Sequence, residues 1–450
     1  MKKIIIYLIL VLVGTINLYA QEAYYWNINY GTKSILLGGS VIGSVSDLSA
    51  TYYNPGAVAL FKEAKFILTA RVYQLDTYTI KDGASEGVDL DFSTVRPSPS
   101  FIAFEIDFDF LGNDKLALSL LTRQSANFEF SSRLIDSVDI IDSSPGKESF
   151  AGGFSTSKDF NDVWGGITYA TKFSEIIGFG FTGYISYLSH RTSLETILQA
   201  FQSSGDIASL TDISNYDFNN VRALGKFGIG FDFRPLTLGL TVTTPSLNIT
   251  GSGSAGTHFF LSGADTSNIF ESNFQEDATS EYKSPMSVGV GGAYSVGDFK
   301  FHLSIEWYDA IDQYTVLDTQ PYESQSSGES LTNDLTHEAQ SVTNFGIGID
   351  YFSSEKLILS AAFTTDFSAR VPDTNTNLAS ASTWDLYHVS AGSTFIIGKS
   401  KFTLGVAVAV GSDTIENSID LTPSQEDGVN NTRTNEVNFN SIQVLFGFEI

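Results

Sequence analysis

The stretch from Ile102 to Phe110 reads IAFEIDFDF, with Ile102, Phe104, Ile106, Phe108 and Phe110 apolar and Ala103, Glu105, Asp107 and Asp109 between them. Successive side chains of a strand point to opposite faces, so this segment has one greasy and one acidic face. The two-residue period recurs along the chain, from Phe66, Leu68, Ala70 and Val72 through Phe301, Leu303 and Ile305 to Ile442, Val444, Phe446 and Phe448. It marks out about 14 segments, each near the 9–11 residues a tilted membrane strand requires. After the first twenty residues no apolar run reaches the roughly 20 residues of a membrane helix. A chain of this kind can cross a bilayer only as a closed β-barrel, because lipid satisfies no exposed backbone groups. The expected fold is therefore all-β, a transmembrane antiparallel β-barrel of about 14 strands.

The connections support this. Short turns fall at Gly112-Asn113-Asp114, Ser174-Glu175, Arg234-Pro235, Gly297-Asp298, Ser353-Ser354-Glu355 and Gly398-Lys399-Ser400. Between them lie long polar connections at 80–98, 131–160, 190–220, 248–284, 309–340, 367–385 and 412–435. Outer-membrane barrels alternate tight periplasmic turns with long extracellular loops in this way. The last segment, Asn440 to Ile450, is again amphipathic and is expected to pair with the first strand, leaving no edge.

At the N-terminus, Lys2 and Lys3 precede an apolar run from Ile4 to Val13, and Leu18-Tyr19-Ala20 precedes Gln21. That is the layout of a cleaved export signal over 1–20. The full chain carries 51 Asp+Glu against 25 Lys+Arg, a net charge of −26 that becomes −28 when Lys2 and Lys3 leave with the signal. Such acidity argues against nucleic acid, whose phosphates need clustered cations. With no Cys, thiol chemistry and disulfides are excluded. Five His, without a metal-binding HExxH spacing at His337-Glu338, predict neither metal nor other cofactor. His302, Ser304 and Glu306 share one strand face, superficially a nucleophilic set, but a polar inward row is what any barrel lumen presents; the expectation is a protein that is not an enzyme.

Residues 21–62 stand outside the strand series and 63–450 form the expected barrel. The segment GGSVIGSVSDLSATYYNPGAVAL, ending at Leu60, combines Gly-rich turns, short apolar patches and the turn Asn54-Pro55-Gly56. It resembles the N-terminal hatch of the FadL/TodX-type family of outer-membrane transporters for long-chain fatty acids and other hydrophobic compounds. Asp47, Ser49, Ala50, Tyr52, Tyr53, Asn54 and Pro55 match that pattern, whereas Gly56 replaces the family's Ala and predicts a looser turn. Pro235 to Gly253 and Tyr282 to Phe301 also resemble family stretches.

The resemblance implies a monomer in the outer membrane of a Gram-negative bacterium, in contact with lipid and lipopolysaccharide. It would pass hydrophobic small molecules, fatty acids or aromatic hydrocarbons, around a lumen hatch gated at Asn54, Pro55 and Gly56 and out through a gap in the wall. A general porin, a surface receptor and, more remotely, an outer-membrane hydrolase are the alternatives. For capture outside the membrane, Thr192-Ser193-Leu194-Glu195 reads as a capping box, and Leu194, Ile197, Leu198 and Phe201 recur at helical spacing. Such a helix would bury its apolar face against a ligand or against neighbouring loops. In the third strand the outward series Leu116, Leu118, Leu120 lapses across Thr122, Arg123, Gln124, Ser125 and Ala126 and resumes at Phe128 and Phe130. That lapse fits a kink with a lateral opening, or a strand emerging above the bilayer. Arg71, Arg123 and Lys226 point inward by the same alternation, to meet a ligand carboxylate or to pair with lumen acids.

Overall fold

The computed structural model describes residues 23–61, 65–85, 88–108, 112–139, 141, 144–263, 268–371, 384–417 and 433–450. The export signal read over 1–20 lies outside the described residues.

Fourteen antiparallel wall strands follow in chain order. They are β1 Phe66–Ser85, β2 Val88–Ile106, β3 Lys115–Val138, β4 Glu148–Ser174, β5 Ile177–Phe201 and β6 Ile207–Phe233. Four interrupted strands come next: β7 Leu236–Thr243 and Leu247–Ser262, β8 Ile269–Ser280 and Ser287–Val296, β9 Phe299–Tyr308 and Ile311–Asp318, β10 Leu335–Ala339 and Val342–Ser354. β11 Leu357–Asp366, β12 Leu386–Ile397, β13 Ser400–Asn417 and β14 Arg433–Glu449 complete the wall. β14 pairs back onto β1, from Ile67 opposite Glu449 to Ile80 opposite Val437, and closes the barrel.

Burial is inverted relative to a water-soluble protein. On β9, Phe301, Leu303 and Ile305 point outward with 39–48% of their surface exposed, while the intervening His302, Ser304 and Glu306 are buried. Val406 and Val408 on β13, and Ile442 and Val444 on β14, repeat the outward apolar row. A continuous apolar exterior over a polar interior is the surface a barrel presents to lipid. Near the tight turns, Phe299 stacks on Tyr351 and Phe402 packs against Phe448, an aromatic girdle of the kind found at membrane interfaces.

The structure departs from the expected loops. β4 and β6 each run for 27 residues and β5 for 25, more than double the roughly 9–11 a bilayer requires. Much of 80–98, 131–160 and 190–220 is thus β-hairpin that carries the wall beyond the membrane. Polar sequence is compatible with this, because each antiparallel partner continues to satisfy its neighbour once both have left lipid. Within the extension Tyr78, Phe128, Phe130, Trp384 and Phe439 form an apolar cluster on the inner face.

The helix expected over Leu194 to Phe201 is also absent: these residues finish β5, paired with both β4 and β6. Two flanking ladders fix the backbone, and alternation then splits the four apolar residues. Leu194 and Leu198 join the inner cluster, whereas Phe201 lies exposed outside.

A charge on the lipid face tests this orientation. Leu303→Arg should cost about 2–4 kcal/mol if Leu303 lies near the bilayer midplane, measured by guanidinium unfolding of the protein folded into phospholipid vesicles; a cost below about 0.5 kcal/mol would refute the assignment.

Candidate functional site: the filled lumen and the seam between β2 and β3

Residues 23–61 fold into two short helices, α1 (Thr32–Leu36) and α2 (Ala50–Tyr53), followed by a 3-10 turn at Pro55–Ala59. Almost every residue of the segment is buried. Its polar contacts reach the inner face right round the wall. Thr122 O of β3 accepts from the Tyr30 hydroxyl at 2.7 Å, and Thr182 of β5 donates to Thr51 O at 2.8 Å. Asn54 Nδ2 donates to Ile229 O of β6 at 3.0 Å, and Ile42 N to Ser304 Oγ of β9 at 3.1 Å. Lys33 meets Asp350 of β10 at 2.9 Å, Ser390 of β12 donates to Leu36 O at 2.9 Å, and Thr32 donates to Glu449 of β14 at 2.9 Å. One segment can touch strands from all sides of a closed barrel only from within it.

The row His302, Ser304, Glu306 is committed to this seating. Ser44 Oγ lies 2.7 Å from His302 Nδ1, and Glu306 Oε2 accepts from Trp26 Nε1 at 3.1 Å and from the Tyr308 hydroxyl at 2.8 Å. Sequence reasoning grouped these three as an enzyme-like set; their partners in the N-terminal segment were invisible to strand spacing.

At Asn54-Pro55-Gly56 the Asn54 carboxamide is fully used. Its Nδ2 also donates to Ile42 O at 2.9 Å, and its Oδ1 accepts from Gly56 N at 3.1 Å, capping the 3-10 turn. The looser turn expected from Gly56 is corrected here. A Cβ on Gly56 would lie 2.5 Å from Gly228 O and 2.7 Å from Gly178 O. Glycine stands there because two backbones meet.

Above the turn lies a cavity of about 30 Å³ lined by Tyr25, Tyr52, Arg123, Trp164, Lys226 and Glu306, among others. It has room for about one water. The Arg123 guanidinium lies 5.6–5.8 Å from the ring centroids of Tyr25, Tyr52 and Trp164, and Nη1 donates to Tyr25 O at 2.8 Å. Lys226 Nζ is 4.7 Å from the Tyr52 ring centroid and 3.5 Å from Glu306 Oε1. The cavity wall thus brings two cations to one carboxylate. Of the three predicted cations Arg123 and Lys226 come together; Arg71 is buried on β1 and does not line this cavity.

Arg123 owes its position to a bulge. Thr122 pairs with Val163 and Gln124 with Asp162, leaving Arg123 as the extra residue of β3. One extra residue exchanges the faces, so Gln124, Phe128 and Phe130 turn inward. The expectation that Phe128 and Phe130 face lipid is therefore wrong. β2 and β3 pair only from Ile106/Leu116 to Phe101/Leu121, and no further ladder joins them among the described residues. β1 shifts register at the same height, between Arg71 and Gln74. Beside this seam Gln124 Nε2 donates to Tyr24 O at 2.6 Å, so the segment's start is bonded to the bulge at Thr122, Arg123 and Gln124. Ser125 and Ala126 follow the bulge, back in register with Asn161 and Phe160.

Sequence reasoning missed the fully buried pair Arg222–Asp162, 2.5 Å apart, with Ser186 and Trp164 also donating to the carboxylate. Strand spacing singled out neither residue, and only the packing of β4, β5 and β6 brings them together.

A closed 14-stranded barrel with an apolar exterior and an occupied lumen defines the class: a transmembrane β-barrel. The same fold is found in the toluene transporter TodX of Pseudomonas putida, at 15% identity over 96% of this chain and 99% of that one, with a TM-score of 0.58. A FadL homologue of Pseudomonas aeruginosa matches at 13% identity over 95% and 99% of the two chains, with a TM-score of 0.60. The toluene transporter TbuX of Ralstonia pickettii matches at 11% over 94% and 98%, with a TM-score of 0.56. No protein-family model and no curated protein matches the sequence. At these identities the likeness establishes the fold.

Removing one partner of the buried pair leaves an uncompensated charge, so Asp162→Asn should cost about 3–5 kcal/mol. The double variant Asp162→Leu/Arg222→Met should cost far less in the same guanidinium titration; equal losses would mean that volume rather than charge matters.

Proposed function

We propose that this protein carries hydrophobic compounds, long-chain fatty acids foremost, passively across the outer membrane of a Gram-negative bacterium. The N-terminal segment acts as the hatch, and ligand leaves sideways between β2 and β3. The observation that carries this reading is the coincidence of a lumen occupied by the N-terminal segment, where the cavity beside Arg123 and Lys226 measures only about 30 Å³, with a wall seam whose bulge is bonded to that segment. Ligand sites of ordinary size need about 300–1,000 Å³, so passage requires the segment to move. When Tyr24, Tyr25 and Tyr30 withdraw, their bonds to Thr122, Arg123 and Gln124 are released together. The apolar cluster around Tyr78, Phe128 and Trp384 supplies a greasy route from outside. Ile197 and Phe201, on the outer face of β5, would meet ligand only before it enters.

The cations favour a carboxylate-bearing ligand. Arg123 and Lys226 face a cavity balanced by Glu306 alone among its lining residues, and a buried carboxylate is stable only where such partners wait. A second reading, an uncharged aromatic hydrocarbon, is favoured by the fold shared with two toluene transporters. Lipid and lipopolysaccharide surround the barrel in either reading, and the protein works as a monomer.

Labelled oleate and labelled toluene, offered to cells lacking their own transporter, separate these readings. Oleate uptake should exceed background, and Arg123→Met should lower it about tenfold, as loss of a charged hydrogen bond of roughly 1.5–3 kcal/mol implies. Toluene uptake that is indifferent to Arg123 would favour the second reading. Steady large conductance of the unmodified protein in planar bilayers would instead make it an open porin.

A further inference from the structure

The wall meets the N-terminal segment at glycines. Inward-facing Gly178 and Gly180 of β5, Gly228 and Gly230 of β6 and Gly239 of β7 lie against residues 42–60. A Cβ on Gly180 would strike Pro55 O, one on Gly228 would strike Asn54 Oδ1, and one on Gly239 would strike Ile42 O, each closer than real carbon contacts allow. The approach is reciprocal, since a Cβ on Gly178 would strike Gly56 O and one on Gly56 would lie 2.5 Å from Gly228 O. These are backbone obstacles, or a carboxamide already held by three hydrogen bonds, and a side chain cannot swing out of their way. Asn54 is bonded at the centre of the patch, to Ile42 O, Ile229 O and Gly56 N.

We infer that Gly178, Gly180, Gly228 and Gly239 form a socket into which Asn54-Pro55-Gly56 latches, and that this socket sets the closed position of the segment. The socket holds by hydrogen bonds and backbone contact, without side chains that interlock. The turn can therefore leave and re-enter the wall without any wall side chain having to repack. One methyl group added to the wall, away from the seam, shifts the balance toward the open arrangement. The specificity of the latch thus resides in what the wall lacks.

The inference rests on reading the segment as a hatch, and the test separates the two. Val58 is fully buried behind the turn, and the chain has no Cys, so Val58→Cys is a unique reporter of seating. Gly180→Ala and Gly228→Ala are compared with Gly183→Ala, on the same strand as Gly180, where an added Cβ meets nothing nearer than 3.5 Å. Gly56→Ala makes the same intrusion from the segment side and leaves the wall untouched, so barrel folding is not in question there. Folding of each variant is verified by heat-modifiable electrophoretic mobility.

In folded protein, maleimide should label Cys at position 58 about tenfold faster in the Gly180, Gly228 and Gly56 variants than in the Gly183 control, equivalent to about 1.4 kcal/mol. Channel conductance should rise with it. Folded variants that label no faster than the control would overturn the latch. Faster labelling with unchanged conductance and oleate uptake would keep the latch and overturn the hatch reading.

Discussion

Backbone amides have no partner in lipid, and the closure of β14 on β1 is the constraint from which the rest of this molecule follows. Thirteen residue pairs in register, between Ile67 and Ile80 on one side and Val437 to Glu449 on the other, remove the last open edge. With the edge gone, the outer face is free to be apolar along its length, and the inner face carries polar residues together with the apolar ones that pack on the segment. Fourteen strands enclose more space than their own side chains fill, in contrast to eight-stranded barrels whose interiors pack shut. That surplus volume is what residues 23–61 occupy.

The filling segment is held by polar chemistry as well as by an apolar core that Leu37, Leu48 and Val58 share with Phe101, Leu121 and Trp164 of the wall. Glu306 gathers Trp26, Ser287, Tyr308 and Lys226, while Asp350 gathers Lys33, His302 and Ser360. Each such bond to a charged group contributes roughly 1.5–3 kcal/mol net, and an orphaned charged partner costs more. The arrangement is therefore strongly positioned. A piece of chain seated in this way sits firmly in one place, and its release exposes polar groups to a lumen that water can enter.

Much of the wall was legible because the signal is redundant. Fourteen alternating segments and six tight turns located a part of each wall strand, and Glu105 on β2 and Glu306 on β9 marked inner faces. The failures have physical causes. Period-two reading carries no memory of phase across an extra residue, so the bulge at Arg123 sent Phe128 and Phe130 to the wrong side. Spacings of three and four between Leu194, Ile197, Leu198 and Phe201 do describe a helix stripe, but local propensity yields when two partners, β4 and β6, already run alongside. Gly56 was read for its backbone freedom, whereas its place depends on Gly178 and Gly228, more than a hundred residues away. Non-local contact is what a single chain's pattern leaves out.

An interrupted ladder inside a membrane barrel needs its orphaned groups met by something other than a neighbouring strand. At the seam between β2 and β3 the N-terminal segment meets one of them, the Tyr30 hydroxyl donating to the Thr122 carbonyl, while the Arg123 and Gln124 side chains donate in turn to the carbonyls of Tyr25 and Tyr24. The seam is tolerable because it is capped from within. The bulge places Arg123 and Gln124 side by side on the inner face, as regular alternation would not, and so gives two consecutive residues to the segment. Wall and filling are then one hydrogen-bonded system. A displacement that empties the lumen would also remove the Tyr24, Tyr25 and Tyr30 contacts from the seam, which is the coupling that the proposed sideways release requires.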